Sequence, residues 1–127
     1  MTWLVYDFTD DQGASVIGEW IRAENLSKAD IAAFKQKISL LKQYGPNVPS
    51  GLLAGPIHKN IYKLRVNTAD RALRPMLCYG PITNEVEFTL LYGAVEVNSV
   101  LTPANAPMKA DKNRTTLIGD ETRRQRR

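Results

Sequence analysis

From Lys59 to Arg74 the chain places five cations (Lys59, Lys63, Arg65, Arg71 and Arg74) against a single acid, Asp70. The run Ile61-Tyr62-Lys63-Leu64-Arg65-Val66 inside this segment reads as a strand. Side chains two apart on a strand share a face, so Lys63 and Arg65 point the same way. A cationic row held on a pleated surface is suited to gripping a phosphate backbone. It is equally suited to stabilising charge that develops on a phosphorus centre during phosphoryl chemistry.

Other site chemistries find little support. With one histidine and one cysteine there is no zinc constellation and no internal disulfide. The sequence holds no P-loop and no dinucleotide fingerprint, and Ser15 and Ser50 lack the context of a nucleophile elbow. Asp7, Asp10 and Asp11 fall around a turn, where aspartates are solvated more often than metal-bound. No metal and no cofactor is expected.

The elements that must position the cations follow from the pattern of apolar residues. Trp3 to Phe8 reads as a first strand. Val16, Ile17, Trp20 and Ile21 recur at helical spacing. A second helix begins at Ser27, a good N-cap with Asp30 at its third position, and carries the stripe Ile31, Phe34, Ile38 and Leu41 until Gly45-Pro46 stops it. Pro46 to Pro56 reads as a loop. Three strand-like runs follow: Ile61–Val66, Leu73–Tyr79 and Glu85–Val97, the last two joined by the turn Gly80 to Asn84. Pro75 inside the second of these argues for a sheet edge or a bulge. In the third, Val86, Phe88, Leu90 and Tyr92 alternate with Glu85, Glu87, Thr89 and Leu91. Thr102-Pro103 opens a final helical stretch. The result is an α+β domain, a small antiparallel sheet with two helices in its N-terminal half and one at its C-terminal end, the helices covering one face or edge.

At 127 residues the chain fits one domain, with residues 1–120 as its body and residues 121–127 as a basic, flexible tail. Charge is uneven: residues 1–56 are net −1 and residues 57–127 net +5, which points to a polyanionic partner. The acids at 7, 10 and 11 interrupt any leader pattern and no apolar run has membrane-span length, so the expected location is cytoplasmic.

In order along the chain, the motifs resemble those of the RelE/HigB-like toxins of bacterial toxin–antitoxin systems, including their phage-derived relatives. Leu40-Leu41-Lys42-Gln43-Tyr44-Gly45-Pro46 is similar to the family's leucine-rich helix end. Lys59 to Val66 is similar to its lysine followed by an "LYELR"-like strand. Leu73 to Tyr79 resembles its "YRVLYF" strand, Phe88 to Gly93 its "LLHGF" strand, and Thr102-Pro103 with Ala110 and Arg114 its terminal "TP…A…R" helix. The phenylalanine of the "LLHGF" motif is Ala94 here, and the two lysines that follow it in the family are Glu96 and Val97.

The resemblance implies a small twisted antiparallel sheet and a metal-independent endoribonuclease that cuts mRNA, often on the ribosome, and is neutralised by a cognate antitoxin. In that chemistry the ribose 2′-OH attacks the neighbouring phosphate, and basic side chains supply the base, the leaving-group acid and the charge stabilisation. Arg65, Arg74, Lys59 and His58 occupy the corresponding places as catalytic candidates. Lys63, Arg71 and Tyr92 are candidates for RNA contact. Arg65 could instead pair with Glu85 or Glu87 across the sheet, and Arg71 could simply hold the turn beside Asp70. Two further readings stand beside the nuclease: an inactive RNA- or protein-binding member of the fold, favoured by Glu96 and Val97, and a gyrase inhibitor of the related ParE branch. No membrane partner is expected.

Overall fold

Ser27 shows how local sequence sets an element boundary. In the computed structural model, which describes residues 2–83 and 86–127, its hydroxyl accepts from the Asp30 amide at 3.1 Å while the Asp30 carboxylate accepts from the Ser27 amide at 3.2 Å. This capping box starts helix α2, Lys28–Tyr44. Before it come strand β1, Leu4–Phe8, and helix α1, Val16–Ala23, which Ser15 caps through the Gly18 amide. Gly45 ends α2 with φ +57° under the Trp3 indole, where a Cβ would come within 2.3 Å of the ring.

Strands β2 (Leu53–His58), β3 (Ile61–Leu64), β4 (Val66–Asn67), β5 (Ala72–Tyr79), β6 (Glu87–Val97) and β7 (Val100–Thr102) follow, then helix α3 (Ala106–Gly119) and strand β8 (Arg124–Arg126). They build an α+β fold around one sheet of order β2-β3-β5-β6-β1-β8, with β4 beside β5 and β7 beside β6. Sequential strands pair antiparallel, as expected, while β1 enters parallel to β6 in the register Val5↔Phe88. The expected strand start at Glu85 lies outside the described residues. Among the described residues no helix is long and apolar enough to cross a membrane.

Three expectations need correction. The helices cover both faces of the sheet: Ile17, Phe34, Ile38 and Leu41 of α1 and α2 pack on Val5, Leu73, Leu77 and Phe88, whereas Ala110 and Leu117 of α3 pack on Met76, Cys78 and Ala94. The reason is that β5 is apolar at nearly every position and so needs cover on both sides. The segment Leu53–Pro56, read as loop, belongs to the edge strand β2. Pro75, expected at a sheet edge or a bulge, lies in an interior strand beside a bulge, so of the two places expected for it the second holds.

The third correction is the tail. Its arginines form strand β8 against β1 in the register Tyr6↔Arg126, Asp7↔Gln125 and Phe8↔Arg124. Arg127 makes a two-point contact with the buried Asp7, and Arg124 pairs with the buried Glu87. The guanidinium of Arg124 also lies 3.9 Å from the Tyr6 ring centroid, and that of Arg123 lies 5.2 Å from Phe8. Two buried carboxylates need these cations, which is why the tail is not a solvated end.

The bulge decides where polar residues go. On β5, Met76 and Leu77 are consecutive, but their partners on β6 are Tyr92 and Leu90, so Leu91 is the extra residue. Ahead of it Phe88 and Leu90 face α1 and α2; beyond it Ala94 packs with Met76 on the α3 side. The uniform alternation expected through Tyr92 therefore fails at Leu91, and Tyr92 and Leu91 both pack toward α3. Glu96, two residues past Ala94, arrives on that same face. Gly93 makes the turnover possible: Trp20 lies flat against it, and a Cβ there would sit 2.0 Å from the indole.

Candidate nucleic-acid interface

Lys63 of β3 and Arg74 of β5 converge on Glu96 of β6. Lys63 Nζ donates to Glu96 Oε1 at 3.2 Å and Arg74 Nη2 to Oε2 at 3.3 Å. Arg74 Nη1 donates further to Asn67 Oδ1 at 2.9 Å and to the Leu73 carbonyl at 2.8 Å. Arg74 is 5% exposed, and its Nε has no partner. Burial pushes the Glu96 carboxyl upward, but the hydrogen bond from Lys63 and the charge of Arg74 outweigh this and hold it below its ordinary value. Glu96 is thus ionised at neutral pH and cancels charge on the two cations.

The other candidates scatter around this pair. Lys59, in the β2–β3 turn with φ +51°, is exposed and lies 3.5 Å from Asp111 of α3. His58 closes β2 opposite Ile61. Arg71 is drawn to the α1–α2 side, 3.5 Å from Glu24 and 3.9 Å from Asp30. Tyr92 is half-buried; Lys109 donates to its hydroxyl at 3.3 Å and lies 5.4 Å from its ring centroid. Lys59, Lys63, Arg71 and Arg74 therefore each have an acidic partner. Glu87, weighed as a partner for Arg65, is taken by Arg124.

Arg65 stands apart. Its side chain is exposed and has no hydrogen-bond or ion-pair partner among the described residues, while its amide donates to Leu52 at 2.8 Å. It lines a groove of about 370 Å³ with Lys37 and Leu40 of α2, Ser50, Gly51 and Asn67, and among the described residues no carboxylate shares this lining. Lys37 was not singled out in the sequence. The available signal was the composition of α2, where Lys28, Lys35, Lys37 and Lys42 face a single acid, Asp30, that is buried in the capping box. A polyanion lying along Arg65 and Lys37 would meet cations without displacing any acid.

The lone thiol offers no reactivity. Cys78 is buried, and burial pushes its pKa up to about 12, so it is a thiol and not a thiolate at neutral pH. Among the described residues no group of three or more histidine, cysteine or acidic side chains could hold a metal. No protein-family model, curated protein or solved structure matches the chain.

Proposed function

We propose that this domain binds RNA along the Arg65–Lys37 groove and does not cut it at the cationic face. The observation that carries this reading is Glu96 held between Lys63 and Arg74. A metal-free ribonuclease needs unpaired cations at the scissile phosphate, and here a carboxylate already occupies the two that converge. The ordered toxin-like motifs and the element order β1, α1, α2, antiparallel strands, α3 support descent from the toxin fold, with binding retained. The open lining of the groove supports a phosphate backbone as the ligand.

The test measures binding and cleavage of one labelled single-stranded RNA by the same protein. Binding without new RNA ends is expected, and an R65A/K37A double variant is expected to bind about tenfold more weakly with a shallower salt dependence. Site-specific cleavage would return the endoribonuclease reading, and growth arrest with fresh 5′ ends in translated mRNA would place it on the ribosome. Absence of RNA binding by folded protein would overturn both.

A further inference from the structure

At the end of β3 away from Arg65 a second pocket opens, about 300 Å³ in volume and lined by Asn60, Tyr62, Tyr79 and Arg114. Its residues come from the β2–β3 turn, β3, the end of β5 and α3. The size is at the small end of ligand pockets. The lining contains a guanidinium, a carboxamide and two phenols, and among the described residues no carboxylate.

Two features mark it as built. The Arg114 Nε is buried without a hydrogen-bond partner, and among the described residues the guanidinium has no carboxylate partner, only the buried Cys78 thiol beside it. A buried donor left unpaired is costly, and a guanidinium with no carboxylate calls for an oxyanion. The tyrosines belong to an aromatic cluster: Tyr62 lies tilted 5.0 Å from Tyr79, Tyr79 meets Phe88 edge-on at 5.0 Å, and Phe88 lies 4.9 Å from Trp3. A platform already fixed by its neighbours loses little freedom when a flat ring stacks on it.

We propose that this pocket binds one nucleotide: its phosphate on Arg114, its base against the Tyr62–Tyr79 pair, and the base edge within reach of the Asn60 amide. Guanidinium, aromatic face and carboxamide are the three groups that phosphate, base ring and base edge call for. The nucleotide is either free or part of an RNA strand, since both present the same chemistry. The pocket is separate from the Arg65 groove, and either can fail without the other.

The test is calorimetric titration of the full chain with uridine 5′-monophosphate, inorganic phosphate, uridine and a short oligouridylate. The monophosphate is expected to bind at least tenfold more tightly than phosphate or uridine alone. R114Q is expected to lose at least tenfold of that affinity, Y62A to lose a similar factor, and K112Q, on the exposed side of α3, to lose none. Thermal melts of each variant separate lost binding from lost folding, and R114K, which retains charge, is expected to recover part of the affinity. Tighter binding of the oligouridylate marks the nucleotide as part of a strand, and equal affinity marks it as free. Phosphate binding as tightly as the monophosphate, no binding at all, or a folded R114Q of unchanged affinity would each overturn the assignment.

Discussion

Arg127 Nε donates to Asp7 Oδ1 at 2.7 Å and its Nη2 to Oδ2 at 2.9 Å, across 120 residues of sequence. Ser15 donates to the same carboxylate at 2.8 Å, so β1, the start of α1 and the end of β8 meet on one buried acid. Removing one partner of a buried pair leaves the other charge uncompensated. R127A is therefore expected to destabilise the fold by about 3 kcal/mol, at the low end for such pairs because Arg127 is partly exposed. A urea titration reads this as a lower midpoint at unchanged slope. An unchanged midpoint would show β8 to be dispensable.

Glu96 offers the direct test of how much charge the β3–β5 face withholds. E96Q keeps the shape and one accepting oxygen, enough for one of Lys63 and Arg74, and removes the negative charge. RNA affinity at low salt is expected to rise roughly tenfold, and the slope of log affinity against log salt to steepen by about 0.7, one more phosphate neutralised on a single strand. Anisotropy titrations at several salt concentrations give both numbers. If neither moves, Lys63 and Arg74 lie outside the RNA path and Arg65 and Lys37 carry the interface alone.

These two carboxylates also mark where the sequence stopped being readable. Helix α2 was legible because its cap, stripe and stop signal all lie within one short segment, Ser27 to Pro46. The strands β3, β5 and β6 were legible from their apolar runs. The position of Glu96 was not, because the bulge at Leu91 depends on Gly93 meeting Trp20 of a distant helix. The burial of Arg74 was not legible for the same reason, since it requires β6 in that register. The tail read as solvated because its anionic partners, Asp7 and Glu87, lie far away in sequence. Strand β2 was hidden by Gly55 and Pro56, residues that an edge strand tolerates and a central strand does not. Of the site, Arg65 was legible as a cation on the strand segment and its companion Lys37 was not.

The Gly93–Trp20 contact is expected to be among the least tolerant in the fold. G93A drives a methyl group into an indole backed by the helix it belongs to, at a cost of roughly 3 kcal/mol, the upper part of the overpacking range. W20A alone opens a cavity and costs about 3 kcal/mol or more. The double variant is expected to cost less than the sum of the two, since each change relieves what the other creates. Strict additivity in denaturant melts would mean that the β6 bulge does not depend on this contact.

Acid sensitivity follows from two carboxyls. The Thr68 hydroxyl donates to Asp30 at 2.7 Å and, against the opposing effect of burial, helps hold its pKa below the ordinary 3.8, with the Ser27 amide and hydroxyl and the charge of Arg71 adding to it. Glu96, pulled upward by burial and more strongly downward by Lys63 and Arg74, lies below its ordinary 4.5. A carboxyl whose pKa is lower folded than unfolded contributes its full stability above the unfolded value, and that contribution is lost as pH falls through the folded value. Urea midpoints are accordingly expected to change little between about pH 7 and 5 and to drop below about pH 4.5. D30N should flatten the lower part of that drop and, by weakening the cap of α2, cost about 1 kcal/mol at pH 7. Midpoints that rise on acidification would mean that both carboxyls are held above, not below, their ordinary values.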